Sequence, residues 1–313
     1  SLARERNQKK YYRIALEQPA EIPGIGRTRR IFLTSGWKDA TLVRDRLAYD
    51  LFRDLSEPGK PRYSPRVRPV ELVLNGDYRG IYNMMERVDG DLLKLGKESA
   101  GAEGPVLYKA MGSLASFHTP YRWAYLQKVP DWRDAQRWGP YENLVSFIGK
   151  STPAAFREGI ERLVDVDNIV DFEIILTLTS HLEGQNYNLF IARPAGAGAR
   201  FFLVPWDFDM AFYRSDVLPS NYLIGRLHAD LPGYGRRVHE RWQALRKGRL
   251  SEQALMARIA GLEEEIAEGV ERNYRRWPLN PGITLADEAA KLRTFIPARL
   301  AILDGHFKSL AGP

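Results

Sequence analysis

Apolar and polar residues alternate along KKYYRIALEQP and again along RRIFLTSGW, the two-residue period of a half-buried strand, so two strands are expected near the N-terminus. The period then changes. In DATLVRDRLAYDLFRDL, Leu42, Val43, Leu47, Tyr49, Leu51 and Phe52 recur at helical spacing, and Asp39 is placed to cap the helix start. The Pro- and Arg-rich SEPGKPRYSPRVRP ends that helix. In VELVLNGDYRGIYNMMERVD, two alternating runs flank Asn75-Gly76, which predicts a hairpin. GPVLYKAM is a further short strand, whereas the aromatic-rich TPYRWAYLQKVPDWRDAQRWGPY assigns itself to no element.

From Tyr141 the pattern is helical through ENLVSFIGK and PAAFREGIERLV into VDNIVDFEIILTLTSHL, whose all-round hydrophobicity predicts a helix buried within the fold. EGQNYN stops it. YNLFIARP, the Gly-rich AGAGA and RFFLVPWDFDMAFY form a second predicted hairpin. Beyond about Arg236 the chain is expected to be helical, with SEQALMARIAGLEEEIAEGVERNYRRW capped by Ser251 and a last helix along TLADEAAKLRTFIPARLAILDGHF. The expected class is α+β, with a β-rich N-terminal lobe over 1–130 and a mainly α C-terminal lobe over 131–313 that carries the second hairpin.

Composition narrows the chemistry. The chain has no cysteine, which excludes disulfides, thiolate metal sites and a cysteine nucleophile. No stretch of roughly 18 apolar residues is present to span a bilayer, and SLARERNQKKYYRIAL lacks the apolar core of a signal peptide. A surplus of 46 Lys and Arg over 39 Asp and Glu would attract phosphates, acidic proteins, nucleic acid or anionic membrane. The sequence has no P-loop and no dinucleotide fingerprint, its five histidines lack zinc spacing, and no serine sits in G-x-S-x-G.

Two features stand out against this background. Asp207 and Asp209 lie in an apolar run, where a lone carboxylate costs several kcal/mol to bury. Strand alternation would aim both to one face. The loop carrying His181, Glu183, Asn186 and Asn188 leads into the partner strand, so oxygen ligands for a hard cation, Mg²⁺ above all, would gather there; the plainer alternative is helix caps and Asx-turns. Lys109, at the end of an apolar strand, calls for a partner such as a phosphate or Glu86, or else snorkels to solvent.

With these residues assembled, the chain resembles the CotH kinase family, atypical protein kinases named for a spore-coat protein. The resemblance runs in order through KKYYRIAL, WKDATLVRDRLA, LNGDYRGIYNMMERVD, LYK, DVDNIVDFEIILTLTSHLEGQNYNLF and VPWDFDMAF. It implies a diverged, two-lobed protein-kinase-like fold, the cofactors ATP and Mg²⁺, and phosphate transfer to Ser or Thr of a secreted or surface protein, with no nucleic-acid partner. It makes Lys109 the phosphate-binding lysine with Glu86 as ion-pair partner, and it makes Asp207 and Asn186 metal ligands with Asp209 beside them. Glu183 is the carboxylate nearest to where the family has its catalytic Asp. That departure keeps two further readings of the fold in view, a pseudokinase or a transferase of AMP or an amino acid. A reading from another class is a carbohydrate-active enzyme with Glu183 and Asp207 as acid and base. The resemblance favours the cell exterior or a spore surface as the location.

Overall fold

The predicted N-terminal strands form β1 (Tyr12–Ile22) and β2 (Gly26–Thr34), an antiparallel pair in which Arg13 lies opposite Phe32. A computed structural model of the chain describes residues 9–97, 101, 103–112 and 114–312; the first eight residues of the signal-peptide question lie outside this range. The hairpin of β3 (Val67–Leu74) and β4 (Asp77–Glu86) turns at Asn75-Gly76, both with positive φ (53° and 79°), as a tight turn that follows the twist of its strands requires. These strands make one sheet in the order β1-β2-β4-β3.

A second antiparallel sheet has the order β6-β5-β7-β8, from β5 (Val106–Ala110), β6 (Tyr125–Val129), β7 (Leu189–Arg193) and β8 (Phe202–Pro205). Strand β6 falls in the segment that its pattern left unassigned. Its inward positions are Tyr125, Gln127 and Val129, and the buried Gln127 breaks the apolar alternation. The Gln127 amide is satisfied by the carbonyls of Pro130 and Ala135 and by the Arg137 N–H. Because β5 pairs with β7, a division at residue 130 passes through this sheet.

Among the described residues nine α-helices follow the strands or lie between them: α1 (Arg44–Asp54), α2 (Gly139–Lys150), α3 (Pro153–Leu163), α4 (Val166–Leu178), α5 (Tyr222–Asp230), α6 (Tyr234–Arg246), α7 (Glu252–Glu264), α8 (Ala267–Arg276) and α9 (Leu285–Leu310). Asp39 reaches forward to the start of α1, where one oxygen accepts from the Arg44 N–H and the other from Thr41. Ser251 caps α7 as its sequence predicts. The single helix expected over 251–277 is instead two. Buried Arg46 donates to the Leu262 carbonyl and to Glu265, drawing that carbonyl out of the helical ladder at the break.

Helix α4 is buried nearly all round, and its polar groups are each matched. Asn168 exchanges two hydrogen bonds with Leu203 of β8, Asp171 accepts from Arg62 and Arg241, and Glu173 accepts from His228 and Tyr234. Such pairing is the condition on which buried polar groups are tolerated. It also fixes β8, and with it the segment that follows, against the centre of the fold.

Candidate functional site

Strand β8 ends at Pro205, so the strand expected to continue to Tyr213 is corrected here. Trp206 keeps one bond to the sheet, through its N–H to the Asn188 carbonyl, and then Asp207 adopts a left-handed backbone (φ 61°) that turns the chain out of it. Aspartate tolerates this region better than most residues. The approach of Asp207 and Asp209 to each other therefore comes from a turn, and the same-face strand argument does not apply.

The start of the turn is held at its backbone from several elements. Tyr49 Oη accepts from the Asp207 N–H at 2.8 Å, and Asp45 Oδ1 accepts from the Phe208 N–H at 2.7 Å. His181 Nε2 lies 2.9 Å from the Trp206 carbonyl, with its ring centroid 4.5 Å from that of Phe208. Burial pushes the His181 pKa down to about 4, so the ring is neutral and must carry its proton on Nε2 to donate to that carbonyl. Buried Arg44 donates to the Phe212 carbonyl at 3.2 Å, with its guanidinium 3.8 Å from the Tyr213 ring centre. Leu42, Ser180 and Phe212 share the left-handed conformation with Asp207, and all four lie in the segments that converge here. Strain of this kind persists only where surrounding structure imposes it.

Four carboxylates and two lysines meet around the turn. Burial raises the Asp207 pKa, with Glu183 adding to the effect and Lys38 and Lys109 opposing it. Burial and the Asp207 charge push Asp209 up to about 7. Asp209 Oδ2 is 3.5 Å from Lys38 Nζ, while its buried Oδ1 has no partner. Asp45 is pushed well up by burial and then by Asp207 and Asp209. Glu183, in the 3₁₀ turn Leu182–Gln185, accepts from Asn188 Nδ2 at 2.8 Å; the same amide lies 3.4 Å from the Asp207 carbonyl. Asn186 follows that turn, half-buried.

Lys109 projects from β5 on the face that packs against Phe190 and Trp206, its ammonium 5.8 and 5.1 Å from their ring centres. Burial lowers its pKa and Asp207 works against that. Glu86 is not its partner. Both Glu86 oxygens are held by Arg66, through the guanidinium at 2.7 and 3.1 Å and the backbone N–H at 2.8 Å. Lys38, Asp45 and Tyr49 were not read as site residues from the sequence, where Tyr49 counted only as an apolar helix position, although all three lie in or beside WKDATLVRDRLA. The signal available was a charged residue, Asp45, in the first turn of a helix that is buried almost throughout.

A cavity of 890 Å³ is lined by Lys38, the ion-pair partner of Asp209, together with Met210, Tyr213, Tyr274, Trp277 and Ile283. Among the described residues, no three His, Asp or Glu side chains are grouped closely enough to hold a metal by themselves. The unpartnered Asp209 oxygen, the raised acids and the amide-rich loop nevertheless suit an ion that takes one or two protein carboxylates and completes its shell with waters and phosphate oxygens, the habit of Mg²⁺.

A family model described as CotH kinase protein matches residues 1–303. Inner spore coat protein H of Bacillus subtilis (strain 168) is 26% identical over 217 residues, a match covering 66% of this chain and 56% of that protein. The match thus spans little more than half the length of that relative. No helix among the described residues is long and apolar enough to cross a membrane.

Proposed function

Because the chain belongs to the CotH kinase protein family, we propose that it is an ATP-dependent phosphotransferase acting on Ser or Thr hydroxyls of a protein at a cell or spore surface. On this reading the first sheet and the helices are a diverged, two-lobed kinase-like fold, with the second sheet joining the lobes. The observation that carries it is the grouping of charges: half-buried Lys109 acts on Asp207, and Asp207 acts on Asp209, whose buried Oδ1 has no partner.

Phosphoryl transfer asks little covalent chemistry of a protein. It needs in-line positioning and neutralisation of charge on the phosphate oxygens. Asp207 and Asn186, with Asp209 beside them, would hold a magnesium ion, which supplies part of that neutralisation. Lys109 binds phosphate oxygens from the opposite side. Glu183, steadied by Asn188, accepts a hydrogen bond from the acceptor hydroxyl and orients it. The hydrogen bonds from Asp207 to Tyr49 and from Phe208 to Asp45 hold the turn rigid, so positioning costs little at the moment of reaction.

Transfer of label from the ATP γ-phosphate to a Ser/Thr-rich acceptor protein tests the proposal. Asp207→Ala should abolish transfer while its circular dichroism stays that of the wild type. Undiminished transfer in this variant would reject the site. Glu183, standing where the family has Asp, favours a second reading in which AMP or an amino acid is passed instead; the mass added to the acceptor separates the two.

A further inference from the structure

We infer that Arg13, Arg30, Arg87 and Lys128 extend the Lys109 site into a cationic cleft that takes the polyphosphate chain of a nucleoside triphosphate. The inference rests on the nucleotide reading above and assigns a role to residues that the resemblance leaves without one, although Arg13 and Arg87 lie within its segments.

Register places the arginines together. Arg13 is opposite Phe32 and Arg30 is opposite Ala15, which puts all four on one face of the β1–β2 pair. Phe32 is opposite Met85 of β4, and Arg87 follows Met85 by two residues, so it emerges on the same side. In the second sheet, Lys109 lies opposite Leu126, and Lys128 is the extra residue where the β5–β6 register shifts between Leu107 and Tyr108. A bulge of this kind re-aims a side chain. Lys109 and Lys128 thus reach the cleft from one sheet and the arginines from the other.

These groups repel one another. Lys128 feels Arg87, Lys109 and Arg13; Arg87 feels Arg30 and Arg13; Lys109 feels Arg13. Burial, reinforced by those neighbours, lowers Lys128 to about 8 and holds Arg87 below its ordinary value. Arg66 and Arg241, elsewhere in the fold, are paired with Glu86 and Asp171. Among the described residues none of the five cleft cations forms an ion pair. The two acids nearby are engaged: Asp131 binds Arg133, and Asp89 accepts from the backbone of Asp91 and Leu92.

Arg87, Lys109 and Lys128 are half-buried and Arg13 and Arg30 exposed at the rim; like charges gathered in this way without ion pairs are costly for the half-buried members unless a multivalent anion occupies the group. The acidic turn adds a second reason. Asp207, Asp209 and Glu183 repel a triphosphate, and Lys38 and Lys109 alone do not outnumber them. Cations on the far side of Lys109 reverse the balance along the length a triphosphate would lie.

The test is isothermal titration of the full chain with inorganic triphosphate in magnesium-free buffer, at low and high salt. Binding that weakens with salt is expected, with Arg87→Gln and Lys128→Gln each lowering affinity about tenfold. Arg29→Gln, next along β2 on the opposite face and bonded to the Leu16 carbonyl, should leave affinity unchanged. Both cleft variants should melt no lower than the wild type, because each removes repulsion; if one does not fold, Arg13→Gln on the exposed edge strand gives the same comparison. Absence of triphosphate binding overturns the inference, as does binding indifferent to these substitutions or preferred by an acidic peptide of equal charge. If ATP is turned over with unchanged KM in Lys128→Gln, the cleft fails and the proposed function survives. If triphosphate binding depends on the cleft but no phosphoryl transfer occurs, the cleft stands and the proposed function falls.

Discussion

His181 is neutral because burial leaves no room for its charge, and that has a consequence for stability. Its pKa falls from the usual 6.5 to about 4 in the folded chain. Between those values the unfolded chain binds a proton that the folded chain does not. Stability is therefore fully present above the unfolded value and is lost as pH falls from 6.5 towards 4, by about 3 kcal/mol for a shift of this size. Urea titrations between about pH 7 and pH 4.5 should show this loss in the wild type and a shallower one in His181→Gln, which keeps a donor for the Trp206 carbonyl without titrating. Equal slopes would remove His181 from the account. Its role was open in the sequence, where a histidine beside carboxylates fits a catalytic group as well as a clamp. The 2.9 Å approach to a carbonyl and the deep burial make it a clamp.

Helix α1 joins the acidic turn to the rest of the fold, and its start depends on Asp39. That carboxylate accepts from Thr41 and from the first helical N–H, and lies 3.2 Å from the fully buried Arg44 guanidinium. Asp39→Ala removes the cap and leaves Arg44 to Glu288, 3.5 Å away. The expected cost is about 3 kcal/mol, read as a lower urea midpoint with unchanged slope. The cap was legible because it is local: an acid lies a few residues ahead of a helical apolar period. The Asn75-Gly76 hairpin was legible for the same reason. The break between α7 and α8 was not, since it is made by Arg46, more than 200 residues earlier in the chain. Nor was β6, where the inward Gln127 is satisfied by carbonyls that no pattern announces.

Sheet and ion pairs tie the two halves of the chain together. β5 has β6 on one side and β7 on the other, and Asp171 of α4 is shared by Arg62 from the first half and Arg241 from the second. A fragment ending at residue 130 would leave β5 with an unpaired edge and Arg62 without its carboxylate. Expressed alone it should show no protected amides over Val106–Ala110 in hydrogen exchange, whereas the intact chain protects them. Protection of that strand in the fragment would mean that the first 130 residues fold by themselves.

Alternation, helical spacing, caps and turn dipeptides act between neighbours a few residues apart, and they were enough to set the α+β class, most elements and the suspicion attached to Asp207, Asp209, Glu183 and Lys109. What the acids do to one another was decided only when the chain folded. Charge interactions depend on distance and burial, and these follow from the left-handed turn at Asp207, the approach of Lys38 and Asp45, and the pairing of Glu86 with Arg66.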